Sequence, residues 1–129
     1  MIFLRQNRLR SMSEFLADGL ELFAVSCVGD YAVAYPWWES LLGAPPSFKA
    51  TPTEAVWEVA PHRWIVLEER PERAGNATHT LFVGDLDARV AAISARGIEP
   101  SDHENYDGVR KVVYRDPEGN EIGFGGNPE

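Results

Sequence analysis

The sequence predicts an α+β fold built from two tandem βαβββ modules, and three observations carry that expectation. Val28-Gly29-Asp30 and Val83-Gly84-Asp85 close two β-type runs at an offset of 55 residues. Each tripeptide leads into a helical pattern that stops at a glycine, Gly43 or Gly97. Near the C-terminus, Asp116-Pro117-Glu118-Gly119 separates two short β-type runs. Proline there presets φ for position i+1 of a type I turn, and Gly119 suits the left-handed bulge position after it. Alternation along the closing strand puts Ile122 and Phe124 on one face, with Glu121, Gly123 and Gly125 on the other.

A chain of 129 residues is one domain's worth. Such a domain buries roughly two-thirds of its unfolded surface, enough for a true core. Its 44% apolar and 25% charged residues are ordinary for a globular protein. No apolar run approaches the roughly 18 residues of a membrane span. Met1-Ile2-Phe3-Leu4 is too short for a signal-peptide core, so the expected location is cytoplasmic. The single cysteine, Cys27, excludes an internal disulfide and suits a reducing compartment.

A net charge of −8 argues against nucleic acid and anionic membranes as partners. Arg5, Arg8 and Arg10 lie in a first decade without acids, leaving −11 for the remainder. An acidic body attracts cationic small molecules; it also serves solubility alone.

Residues 1–20 read as an N-terminal extension, in which 13–19 could form one helical turn capped by Ser13. The domain proper spans 21–126, with modules at about 21–70 and 77–126. Residues 21–28 are rich in β-branched and aromatic side chains and read as a strand. Asp30 is the expected N-cap of a helix running to Gly43, whose regular part would begin at Pro36 as its first residue. Trp37, Trp38, Leu41 and Leu42 form its apolar stripe, a core pattern more than a stacking site. Ala44-Pro45-Pro46 blocks continuation, and strands follow at about 47–50, 55–59 and 64–69. Ala60-Pro61-His62-Arg63 supplies the last turn, with His62 in solvent. Residues 69–76, charged and broken by proline and glycine, form a linker. A strand at 78–83 and a helix at 86–96, with Leu86, Val90 and Ile93 at helical spacing, repeat the grammar. A short strand near 98–101 and a polar loop through Asp107-Gly108 then lead to the hairpin.

Val28-Gly29-Asp30, Trp37-Trp38-Glu39-Ser40-Leu41-Leu42-Gly43, Val83-Gly84-Asp85-Leu86-Asp87 and Asp116-Pro117-Glu118-Gly119-Asn120, in this order and spacing, resemble the glyoxalase / bleomycin-resistance / extradiol-dioxygenase (vicinal oxygen chelate) superfamily. The resemblance covers residues 21–126. It implies mixed sheets curved into a half-open cup, usually in a homodimer, with a small-molecule ligand inside.

Metal-using members of that superfamily hold a divalent ion with four cup-facing side chains, from the first and last strands of each module. Carried onto this sequence, the positions fall on Phe23, Thr78, Gly123 and either Val66 or Glu68. Phenylalanine and glycine carry no donor, and a threonine hydroxyl is a poor ligand for Fe, Zn or Ni. No metal or other cofactor is therefore expected. His79 would enter only through a one-residue slip, and period-2 parity puts it on the helix-packed face with Leu81 and Val83. His103 lies with Asp102 and Glu104 in a polar cluster of the solvent-exposed kind.

Without a metal, the resemblance points to stoichiometric capture of a cationic or aromatic antibiotic-like molecule. The cup-facing set would be Phe23, Val25, Val66, Thr78, Thr80 and Phe82, with Glu68 and Glu121 as negative contacts. The plain alternative is that these residues fill the cup and pack a dimer. The competing class is a metal-dependent lyase, isomerase or dioxygenase, or acid–base work by Glu68 or Glu121. Neither a Ser-His-Asp nor a Cys-His arrangement is legible, and no phosphate loop occurs.

Overall fold

A computed structural model describes residues 19–127. The first module comprises β1 (Leu22–Val28), α1 (Tyr31–Leu42), β2 (Phe48–Thr51), β3 (Glu54–Ala60) and β4 (Arg63–Glu69). The second comprises β5 (Thr78–Phe82), α2 (Leu86–Ala95), β6 (Asp102–Tyr106), β7 (Val109–Arg115) and β8 (Glu121–Gly126). Each builds one mixed sheet, in the orders β1-β4-β3-β2 and β5-β8-β7-β6. The β1–β4 and β5–β8 pairs are parallel, and the other pairs are antiparallel. β1 and β5 therefore each end a sheet, and the barrel stays open. The expected α+β, twice-repeated βαβββ architecture is the one observed. The expected helical turn at 13–19 and nearly all of the 1–20 extension lie outside the described residues.

The core lies on the helix-facing side of both sheets. Trp38, Leu41, Ile65, Leu67, Leu86, Ile93, Tyr114 and Ile122 are all fully buried there, so the two modules share one core. The tryptophan pair belongs to it: Trp37 meets Trp38 edge-on at 5.3 Å. In α1, Asp30 accepts the Val33 N–H, and Gly43 ends the helix at φ 79° with its N–H on the Glu39 carbonyl.

Pro36 is not the first residue of α1; the helix begins at Tyr31 and carries the proline inside. The N–H that proline lacks would have met the Ala32 carbonyl. Both residues are exposed, so water can serve that carbonyl and the helix tolerates the loss.

The strand expected near 98–101 is instead Asp102–Tyr106, the segment read as polar loop. Its side chains are mostly exposed on both faces, so hydrophobic alternation left no trace in the sequence. His103 is accordingly an exposed edge-strand residue. His62 is not merely solvated: at φ 65° it turns its Nδ1 onto the Glu21 carboxylate. The linker contains a 3₁₀ turn at Pro71–Arg73.

The Asp116–Asn120 turn forms as expected, with the Gly119 N–H on the Asp116 carbonyl and φ 100° at Gly119. Its side chains work across the module boundary. Buried Asp116 accepts the Trp38 indole N–H at 3.0 Å. Asn120, fully buried, donates to the Cys27 carbonyl at 2.8 Å and accepts the Ala77 N–H at 3.0 Å. Satisfied polar groups of this kind, inside a shared core, fix how the modules sit together.

Candidate functional site

Strand register decides which side chains share the face opposite the helices. In the first sheet Phe23 pairs with Trp64, Val25 with Val66, and Cys27 with Glu68. In the second, Thr78 pairs with Glu121, Thr80 with Gly123, and Phe82 with Gly125. The eight expected ligand-binding residues thus all lie on the non-helix faces.

They do not converge on one space. A cleft of about 1020 Å³ opens between the free edges of β1 and β5, and it takes in Phe23, Val25, Thr78, Thr80 and Phe82. Glu68 lies instead on a second cavity of about 670 Å³, together with Cys27, Arg70 and Arg73. Val66 is 3% exposed, closed over by its neighbours, and borders neither cavity. Glu121 also borders neither; it pairs with Arg115 at 3.2 Å.

Phe23, Trp64 and Phe82 are among the aromatic residues lining the cleft, and Phe48 packs on Trp64 from outside it. Phe23 stacks on Trp64 with ring centroids 5.7 Å apart and planes 11° off parallel, and Phe48 meets Trp64 edge-on at 6.0 Å. Phe23 is 49% exposed and Phe82 63% exposed, so both rings present open faces. Trp64 is the residue that sequence reasoning missed here, although its parity with Val66 and Glu68 on β4 was readable. The arginines of the cleft, Arg63, Arg89 and Arg96, gave no sequence signal, because tertiary packing alone brings them there.

His79 spans the seam. Its ring lies on the helix-side parity of β5, as period 2 required, and its Nε2 contacts the Val25 carbonyl at 3.1 Å. It thereby holds the edge of β5 to the edge of β1.

Cys27 lines the second cavity, and Glu21, outside both linings, accepts a hydrogen bond from the Trp64 of the cleft wall. Glu21 is held below the usual carboxylate range by the N–H of Trp64, 2.8 Å away, and then by His62. Burial, followed by the charge of Glu68, pushes the Cys27 thiol up, so it is a poor nucleophile at neutral pH.

The chain matches the Glyoxalase-like domain family over residues 23–124. The chain belongs to that family. Among solved structures, a glyoxalase / bleomycin resistance protein from Catenulispora acidiphila is 51% identical, with a TM-score of 0.81 over 84% of this chain and 99% of its own. A lactoylglutathione lyase from Agrobacterium tumefaciens shares the fold at 16% identity, with a TM-score of 0.65 over 81% and 91% of the two chains. An antibiotic-binding protein from a Streptomyces species does so at 20% identity, with a TM-score of 0.61 over 83% and 94%. No curated protein matches the chain.

For this glyoxalase-like protein the four positions of the superfamily's metal site can now be assigned. Val25 pairs with Val66 as Thr80, 55 residues on, pairs with Gly123. The equivalent of Gly123 is therefore Val66, and Glu68 answers to Gly125. Phe23, Val66, Thr78 and Gly123 offer one hydroxyl among them, a set that does not fit a divalent ion. The Lys111 stem covers the bare backbone of Gly123 so closely that a Cβ there would meet its Cε at 2.6 Å. Among the described residues, no three His, Cys, Asp or Glu side chains gather at ion-binding spacing. No described helix is long and apolar enough to cross a membrane.

Proposed function

We propose that this glyoxalase-like protein binds a small aromatic, antibiotic-like molecule in the opening between its modules, without a metal. The observation that carries the reading is the pair of exposed rings, Phe23 stacked on Trp64 and Phe82 across the seam, on a cleft of about 1020 Å³. A cavity of that size, apolar with a few polar groups such as Thr78 and Thr80, is of the kind that holds drug-sized ligands. Exposed aromatic rings gain most when a flat partner covers them. The antibiotic-binding protein of the same fold supports the same class of ligand. The competing reading, a metal-dependent lyase, isomerase or dioxygenase, has against it the donor set described above.

The protein acts in this proposal as a homodimer in the cytoplasm, capturing its ligand stoichiometrically. Calorimetric titration of the full chain with bleomycin, mitomycin C and planar aromatic antibiotics tests it. Saturable binding of at least one, unaffected by chelator, is the expected result. Stoichiometric metal in chelator-free protein, with binding lost on its removal, would overturn it.

A further inference from the structure

The whole chain carries −8, which by itself would favour a cationic ligand. The cleft is charged the other way. Among the described residues its lining holds Arg63, Arg89 and Arg96 and one carboxylate, Glu58, with Glu21 behind Trp64 and Asp85 beside Arg89. Arg96 gives its guanidinium to the backbone carbonyls of Ser40 and Leu41, and no carboxylate pairs with it among the described residues. Arg89 pairs with Asp85 at 3.2 Å while lying over the Phe124 ring at 5.7 Å. Arg63, opposite Leu22 at the mouth, has no ion-pair partner among the described residues.

Which charge counts is a matter of distance. At physiological salt the field of exposed charges decays over about 8 Å, so acids scattered across the surface act weakly on a ligand inside the cleft. Groups in its wall meet the ligand at contact distance and are screened much less. Guanidinium groups also offer a planar fork of donors that matches a carboxylate and stacks on aromatic rings.

We infer that the seam between β1 and β5 selects an aromatic anion, a carboxylate carried on a flat apolar body, with Arg63 as the residue that reads its charge. The aromatic body lies against Phe23 and Phe82, and the carboxylate turns toward the arginine side of the cleft. This inference rests on the opening being a small-molecule site.

Calorimetric titration with three probes sharing one ring system separates the two ideas: 2-naphthoate, neutral 2-naphthol and 2-naphthylmethylammonium. Naphthoate should bind at least tenfold more tightly than the ammonium probe, and added salt should narrow the gap. Arg63→Gln should weaken naphthoate about three- to tenfold and leave naphthol unchanged; Arg63→Glu should reverse the preference. Arg63 is exposed at the start of β4, and circular dichroism checks that both variants fold. Naphthol binding without a preference for naphthoate, or an Arg63→Gln effect equal on all probes, overturns the charge selection and leaves the site standing. Failure of all three probes to bind overturns both.

Discussion

Glu118 and Arg96, both in the second module, hold opposite ends of one helix in the first. The Glu118 carboxylate accepts the Gly29 N–H at 2.6 Å and the Asp30 N–H at 3.0 Å, just ahead of α1. Arg96 donates to the carbonyls of Ser40 and Leu41 at its far end. An anion at the N-terminus and a cation at the C-terminus both suit the helix dipole and satisfy groups the helix leaves unpaired. Gly43 suits the turn beside Arg96 because its φ of 79° is one that other residues rarely adopt, and a Cβ there would also press on the guanidinium.

Glu118→Ala should therefore lower stability by about 1–3 kcal/mol, the range for a lost charge-assisted hydrogen bond pair at a partly exposed site. Glu118→Gln, which can keep only one acceptor, should fall in between. Urea unfolding followed by tryptophan fluorescence measures both. A Glu118→Ala midpoint equal to that of the parent would refute the clasp.

Two glycines that both look crowded should behave differently. At Gly75, with φ 84°, an added Cβ would run into the backbone carbonyl oxygen of Glu118, which cannot move aside. At Gly123 the obstacle is the flexible end of Lys111, and φ is not left-handed. Gly75→Ala should cost about 2 kcal/mol or more, and Gly123→Ala less than about 1 kcal/mol. Thermal melts of the two variants side by side decide the matter; similar losses would contradict it.

Phe23→Ala and Phe82→Ala should each weaken an aromatic ligand about tenfold, as expected for removing an anchoring ring. Because both rings are about half exposed or more, stability should change by less than about 1 kcal/mol. Calorimetric titration and melting curves on the same preparations separate the two effects. A large drop in the melting temperature of Phe23→Ala with ligand affinity intact would place that ring in the core.

Tyr35 supplies a pH test. The bond its hydroxyl donates to Glu39 at 2.8 Å, reinforced by burial, pushes its pKa up to about 12. An acid whose folded pKa exceeds the unfolded value of about 10 stabilises the fold fully below that value. That contribution fades as pH rises toward about 12. Ultraviolet difference titration against Tyr35→Phe should show one late tyrosine, and Glu39→Gln should bring its transition earlier. An unchanged transition in Glu39→Gln would sink the assignment.

Much of the architecture was readable because it is written in local patterns. The 55-residue offset gave the duplication, Pro117 and Gly119 gave the closing turn, and period-2 parity set Phe23, Val25, Thr78, Thr80 and Phe82 on one side. β6 escaped because an edge strand wet on both faces has no alternation to read. Pro36 misled because its cost depends on whether the orphaned carbonyl faces water, which sequence does not encode.

By itself, the sequence determined the module plan and the side chains each sheet turns away from its helix, since backbone periodicity fixes both. Tertiary structure alone decided that Glu68, Val66 and Glu121 part company with the other five. It likewise decided that arginines from β4 and α2 line a cleft in an acidic protein. The reason is physical: parity assigns a side chain to a face, but only the distance between two separately formed sheets places it in a shared space.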